Sequence, residues 1–255
     1  MTSNFFEISI LSLAQGISEF LPISSAAHLI LIEQILKLEN QNLIIDISLH
    51  LGSLLAIIFY FRKDFFNFKK NINFFYKILI ATIPLLPFGY FLTKTGLIHE
   101  LRNIKVIAWT TLIFGFLLYL SDKSKISKKL NSDFHFKNYI WFGLFQILAL
   151  IPGVSRAGIT ITAGRFLGFN RIESSKVSFY LSIPALSVVS LFGIISLAEK
   201  SLEFNMIAFL GIFLSFIFSY ITIKYFLKFI KKFNLNVFVI YRIILSLILF
   251  KIIYF

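Results

Sequence analysis

Cysteine is absent from the 255 residues, which excludes disulfides, thiolate nucleophiles and cysteine-ligated metal clusters. Charge is scarce as well: charged residues make up 15% of the chain against 58% hydrophobic, and the mean hydropathy is +0.85. That composition lies far from that of soluble domains and leaves no room for a large one. Acidic side chains are the scarcest, 12 against 25 basic, for a net charge of +13. The chain reads as an integral membrane protein, in which an excess of Lys and Arg serves orientation; nucleic acid is set aside as a partner. The opening residues MTSNFFEISI lack a basic region and a small-residue cleavage site, so no signal peptide is expected there.

Long apolar runs are what the chain does have. Windows at 42–61, 74–93, 104–120, 177–198, 206–227 and 237–254 each reach about the 20 residues that a membrane span requires. Two further apolar regions, 5–37 and 139–169, are interrupted at mid-membrane depth by Leu21-Pro22-Ile23-Ser24-Ser25 and Ile151-Pro152-Gly153-Val154-Ser155. Lipid offers no hydrogen bonds to the backbone groups that such breaks free, so both regions are expected as re-entrant hairpins lining a cavity or buried in protein. Gln15 precedes Ser24 by nine positions and Gln146 precedes Ser155 by the same nine, with a proline between in each. The expected fold is an all-α polytopic membrane protein, a single membrane domain over 1–255 with pseudo-repeats of about 1–130 and 131–255. Each half holds one re-entrant helix hairpin plus three transmembrane helices. Three is odd, so the second half is inverted relative to the first.

Basic residues supply an orientation. If both hairpins return to the side they entered, 17 Lys and Arg, among them Arg62, Lys128 and Lys231, share one face. The other face holds six, Lys37, Lys94, Arg102, Lys105, Lys200 and Lys251. The richer face is cytoplasmic by the positive-inside rule, which leaves both termini and the first hairpin opening outward.

Within the hairpins charge nearly vanishes. From Ile8 to Ile32 the only charged side chain is Glu19, joined by the titratable His28, and from Asn138 to Gly164 it is Arg156. A charge at mid-bilayer costs about 2.5–3.5 kcal/mol on insertion scales, so each calls for a partner or a use. One reading makes Glu19 and Arg156 an ion pair tying the hairpins together. Another makes them part of a site. Ser24, Ser25 and His28 share one face of the helix after Pro22, either as caps and an interior histidine or as hydroxyls beside an acid–base imidazole. Ser155 and Arg156 stand with Gly153 and Gly158 at a second helix start, where backbone N–H groups and a guanidinium suit phosphate, although the glycines also serve close packing. Gln15 and Glu19 face the same way at i and i+4. Asp46 with His50, and Tyr241 with Arg242, read as interfacial or structural pairs.

The stretches QGISEFLPISSAAHL (15–29) and ALIPGVSRAGITI (149–161) resemble the two signature motifs of the undecaprenyl-diphosphate phosphatase family, also called bacitracin-resistance proteins. The likeness extends to DISLHLGSLLA (46–56), the segment from Ser178-Phe179 to Pro184, and Ile240-Tyr241-Arg242, all in family order. It implies a multi-pass enzyme of the bacterial inner membrane that hydrolyses undecaprenyl diphosphate to undecaprenyl phosphate, with an outward-facing site and a divalent metal ion, Mg2+ or Ca2+. Membrane lipid is then a second partner, and a homodimer is compatible with the family. Carried over by position, Glu19 is the motif carboxylate, Ser25 the nucleophile or proton carrier and His28 its partner. Ser155, Arg156 and Thr160 form the phosphate-binding cluster, Ser24 adds a motif position, and Glu19 with Gln15 faces the metal. The chain departs from the family at Gln15, where a second Glu is usual, at Ala26-Ala27 for Thr-Gly, and at Ala157 for Ser. A glutamine ligates through its carbonyl oxygen but brings no charge. The competing class is a lipid-phosphate transporter of the same inverted-repeat design, or a weakly active homologue.

Overall fold

The computed structural model describes residues 2–36, 43–197 and 202–254. Lys37 and Lys200, counted above for orientation, lie outside them. The first hairpin is α1 (Thr2–Ser18) and α2 (Ser25–Leu36), followed by α3 (Leu43–Tyr60) and the short α4 (Arg62–Phe66). Next come α5 (Phe68–Thr82), α6 (Leu85–Lys94), the short α7 (Leu97–Leu101), α8 (Ile104–Asp122) and the single-turn α9 (Leu130–Asp133). The second hairpin is α10 (Phe136–Ile147), a 3-10 turn at Leu148–Leu150 and α11 (Arg156–Phe166). It leads into α12 (Arg171–Leu197), α13 (Leu202–Phe229) and α14 (Asn236–Tyr254). Among the described residues there is no strand.

Among the described residues four stretches are long and apolar enough to cross a membrane, Asn71–Lys94, Ile104–Asp122, Met206–Phe229 and Asn236–Tyr254. Each matches an expected window. The first runs through α5 and α6 and bends at Pro84, whose ring and missing N–H interrupt the ladder. The other two expected spans, 42–61 and 177–198, fall on α3, 18 residues long, and α12, 27 residues long, each of which has a part outside the described side chains. Asp46, Ser48 and Ser53 of α3 and Ser174, Ser175, Ser178 and Ser182 of α12 are buried. Their polar positions face protein rather than lipid.

Both hairpins break where the prolines stand. Their arms, 17, 12, 12 and 11 residues long, reach roughly 16–26 Å at 1.5 Å per residue, short of the ~30 Å hydrocarbon core. In each hairpin the two arms pack on one another. Around them α3 packs on α12 and α13, α13 on α1, α8 on α14, and α11 on both α8 and α12. Phe20, Ile57, Phe142, Phe169, Phe179 and Leu181 are core residues of the largest buried cluster. Gly52 permits the approach of α3 to α13, since a Cβ there would lie 2.3 Å from the Ile212 carbonyl oxygen.

Candidate active site

The two breaks are built alike. Ser24 and Ser155, the last residues before α2 and α11, have φ of 77° and 71°, a conformation that L-residues rarely adopt. Each caps the helix it starts: Ser24 Oγ accepts from the Ala27 N–H at 3.4 Å and Ser155 Oγ from the Gly158 N–H at 3.1 Å. Ser155 Oγ also donates to the Leu21 carbonyl at 3.4 Å, which joins one break to the other. Gly153 has a φ of +88°, and a Cβ there would sit 2.1 Å from Thr110 Oγ1, so this close pass of the second break by α8 requires glycine.

Breaks of this kind free carbonyl oxygens, and a single cation gathers them. Arg242 of α14 is fully buried. Its Nη1 donates to the carbonyls of Pro22 at 3.2 Å and Val154 at 3.1 Å, its Nη2 to those of Gly153 at 2.8 Å and Thr110 at 3.4 Å, and its Nε to that of Thr111 at 3.1 Å. The Thr110 hydroxyl donates to the Pro152 carbonyl at 2.7 Å. Both turns are thereby tied to α8 and α14, with the freed backbone groups satisfied inside protein. The sequence left Arg242 between snorkelling and bundle pairing. It lies within the bundle, with backbone carbonyls as its partners.

Glu19 is the hub where the breaks meet. Its Oε1 accepts from Arg156 Nη2 at 2.6 Å, and its Oε2 from Ser25 Oγ at 2.7 Å and Gln15 Nε2 at 3.0 Å. Arg156 also donates from Nη1 to the Ser178 carbonyl of α12 at 3.0 Å. Thr160 lies fully buried beneath it, its hydroxyl 2.7 Å from both the Arg156 carbonyl and Ser178 Oγ. Thr160 therefore ties the Arg156 main chain to Ser178 of α12. Glu19 and Arg156 side chains are only 5% and 13% exposed, so the ion pair is strengthened by its dry surroundings.

Two histidines frame this cluster. His28 does not bond Ser25: its Nδ1 meets the Ser24 carbonyl at 2.6 Å and its Nε2 the Tyr241 hydroxyl at 2.5 Å, while the Ser25 hydroxyl turns to Glu19. His50, which the sequence left as half of an interfacial pair, instead reaches the site, with Nδ1 2.7 Å from Gln15 Nε2 and 3.5 Å from Glu19 Oε2. Its signal lay in the DISLHLGSLLA segment, whose histidine sits one turn after Asp46. Ser53 adds a hydroxyl 3.5 Å behind Gln15 and is itself bonded to Ser219 of α13 at 2.9 Å.

Among the described residues no three His, Asp or Glu side chains cluster as a ready-made metal site. The donors around Gln15 nevertheless fit a divalent ion. Gln15 is fully buried and its amide oxygen has no partner, one residue-turn from the Glu19 carboxylate and beside the His50 imidazole. One carboxylate and an amide oxygen make the thin, oxygen-rich set of a hard cation that completes its shell from substrate phosphate.

These features define a polytopic membrane protein in which two helix breaks bring an arginine, a carboxylate and a serine hydroxyl together. The chain belongs to the bacitracin resistance protein BacA family, which matches residues 8–248. It is 56% identical over 255 residues to the undecaprenyl-diphosphatase of Pelagibacter ubique, covering all of both chains. Proteins of the same name from Saccharophagus degradans and Jannaschia sp. are 40% and 38% identical, with at least 96% of each chain covered.

Proposed function

We propose that the protein hydrolyses undecaprenyl diphosphate to undecaprenyl phosphate and inorganic phosphate, recycling the carrier lipid for cell-wall synthesis and conferring bacitracin resistance. The observation that carries this reading is the convergence of Arg156 and Ser25 on one buried carboxylate between two helix starts. It is supported by full-length likeness to proteins named undecaprenyl-diphosphatase. Arg156 uses Nη2 on Glu19 and Nη1 on Ser178, which leaves further guanidinium protons for phosphate oxygens. The starts of α2 and α11 favour the same anion. Ionised Glu19 can only accept, so the Ser25 proton points at it and the Ser25 oxygen keeps its lone pairs free. Ser25 attacks the terminal phosphorus or aims a water at it. The bond from that phosphorus to the bridging oxygen breaks, and undecaprenyl phosphate leaves; a phosphoserine formed by the first route is then cleaved by water, which returns the Ser25 hydroxyl and frees inorganic phosphate. A divalent cation held by Glu19 and the Gln15 amide oxygen would polarise a phosphate oxygen.

The matched construction at Ser24 and Ser155, with equal handedness and equal caps, supports pseudo-repeats of about 1–130 and 131–255 inserted in opposite senses. In this reading the protein lies in the inner membrane with the site facing outward. Exposed apolar side chains such as Phe213, Ile244 and Leu247 meet lipid.

The deciding measurement is phosphate release by purified protein in detergent with Mg2+ and farnesyl or undecaprenyl diphosphate. Release is expected, and its absence would favour the transporter class. Retained turnover in Ser25→Ala would eliminate a phosphoserine and leave water as the attacking group. For Gln15→Glu the added carboxylate should lower the cation concentration for half-maximal activity, and likewise that for the metal-induced rise in Tm. Unchanged metal dependence in both assays would separate residue 15 from the metal. Orientation is read by cysteine labelling, with no native cysteine to interfere. A cysteine at Ser127 should resist an impermeant thiol reagent in intact cells. One at Ser201, which lies outside the described residues, should react; the opposite pattern reverses the orientation.

A further inference from the structure

His28 stands apart from the Glu19 cluster, with both ring nitrogens already engaged. A backbone carbonyl can only accept, so the 2.6 Å contact with Ser24 requires the proton on Nδ1. In the neutral ring Nε2 is then the lone pair, and the Tyr241 hydroxyl 2.5 Å away must donate to it. The Tyr241 ring stacks on the imidazole, with centroids 5.7 Å apart and planes within 12°. Tyr241 comes from α14, far along the chain, and is 39% exposed. The adjacent Arg242 directs its guanidinium to backbone carbonyls, so it does not compete for Nε2.

We propose that Tyr241 is a positioning residue for His28 in phosphate transfer, holding Nε2 as an aligned, unprotonated base until substrate arrives. The proposal rests on the hydrolase reading above. A phenol hydroxyl suits the task because it both donates and accepts, so it bonds His28 before and after the ring takes a proton. When an attacking water is brought to the base, the phenol rotates off the lone pair. The attacking O–H bond breaks, the proton bonds Nε2, and the electron pair left on oxygen forms the new bond to phosphorus as the bridging oxygen departs. The imidazolium keeps Nδ1–H on Ser24 and is held through Nε2–H by the Tyr241 oxygen, now an acceptor. The proton then passes to the phosphate released.

The test uses Tyr241→Phe, which keeps the stacked ring and removes only the hydroxyl. Long-range 1H–15N spectra of the wild type in detergent, with His28 assigned by its loss in His28→Gln, should report the Nδ1–H tautomer. Tyr241→Phe should shift the Nε2 resonance and lower kcat about tenfold or more, with KM within about twofold, the range of a weakened acid–base step. An Nε2–H tautomer in the wild type overturns the proposal, and so does a Tyr241→Phe variant that matches the wild-type kcat. An equal fall in kcat and folded fraction would assign Tyr241 to the scaffold alone and overturn it too. Wild-type protein that frees no phosphate defeats the hydrolase reading itself, and the tautomer then tells whether the His28–Tyr241 link survives without it.

Discussion

Arg156→Ala should lower phosphate release about a thousandfold or more, the scale on which arginines that stabilise a transferring phosphoryl group act. The substitution removes the fork proposed to hold the diphosphate and leaves Glu19 buried without its 2.6 Å partner. Breaking a buried pair costs about 3–5 kcal/mol, so the variant should also melt earlier. Two readouts separate the effects: Tm by tryptophan fluorescence, and turnover measured well below that Tm. Arg156→Lys sharpens the reading. A single ammonium cannot hold Glu19, the Ser178 carbonyl and phosphate together, so only a small part of the activity should return while most of the stability does. Arg156→Ala turnover within about tenfold of wild type would leave the residue as a tie between hairpins and nothing more.

The second large effect belongs to Arg242. In Arg242→Met the volume is nearly kept, but the break carbonyls of Pro22, Gly153 and Val154 lose their donor inside the bundle. Each unsatisfied buried group costs about 1–3 kcal/mol, and three approach the ~5–15 kcal/mol by which folded proteins are stable. The expected result is protein that aggregates or elutes without a monodisperse peak in detergent. Arg242→Lys, with a charge but no fork, should fold with a markedly lower Tm. A near-native Tm in Arg242→Met would refute the idea that one guanidinium holds both turns in place.

The spans were legible because length and apolarity are local properties, and each break announced itself through Pro22 or Pro152 next to small polar residues. The pairing of Glu19 with Arg156 was legible for a similar reason: two isolated charges in apolar hairpins have few other partners. What escaped the sequence depended on groups without a signature. Arg242 bonds carbonyls, which every residue carries, so no spacing could single out Pro22 or Gly153 as its partners. His50 meets Gln15 across 35 positions, and only the packing of α1 beside α3 brings them together. Helical periodicity correctly set Ser25 and His28 on one face, yet it could not say that the turn folds Glu19 back onto the Ser25 hydroxyl. That capture leaves His28 to Tyr241.

At Ser24 and Ser155 the backbone and the side chain have opposite preferences. A left-handed φ suits glycine, and a non-glycine residue in a sparsely populated region is less stable by about 1–3 kcal/mol. Glycine would relax both turns, and it would also delete the oxygens that cap α2 and α11 and the hydroxyl that spans from one hairpin to the other. The identity of these residues is therefore decided by a hydroxyl against the local torsional preference. Each turn is held slightly tense by its own side chain.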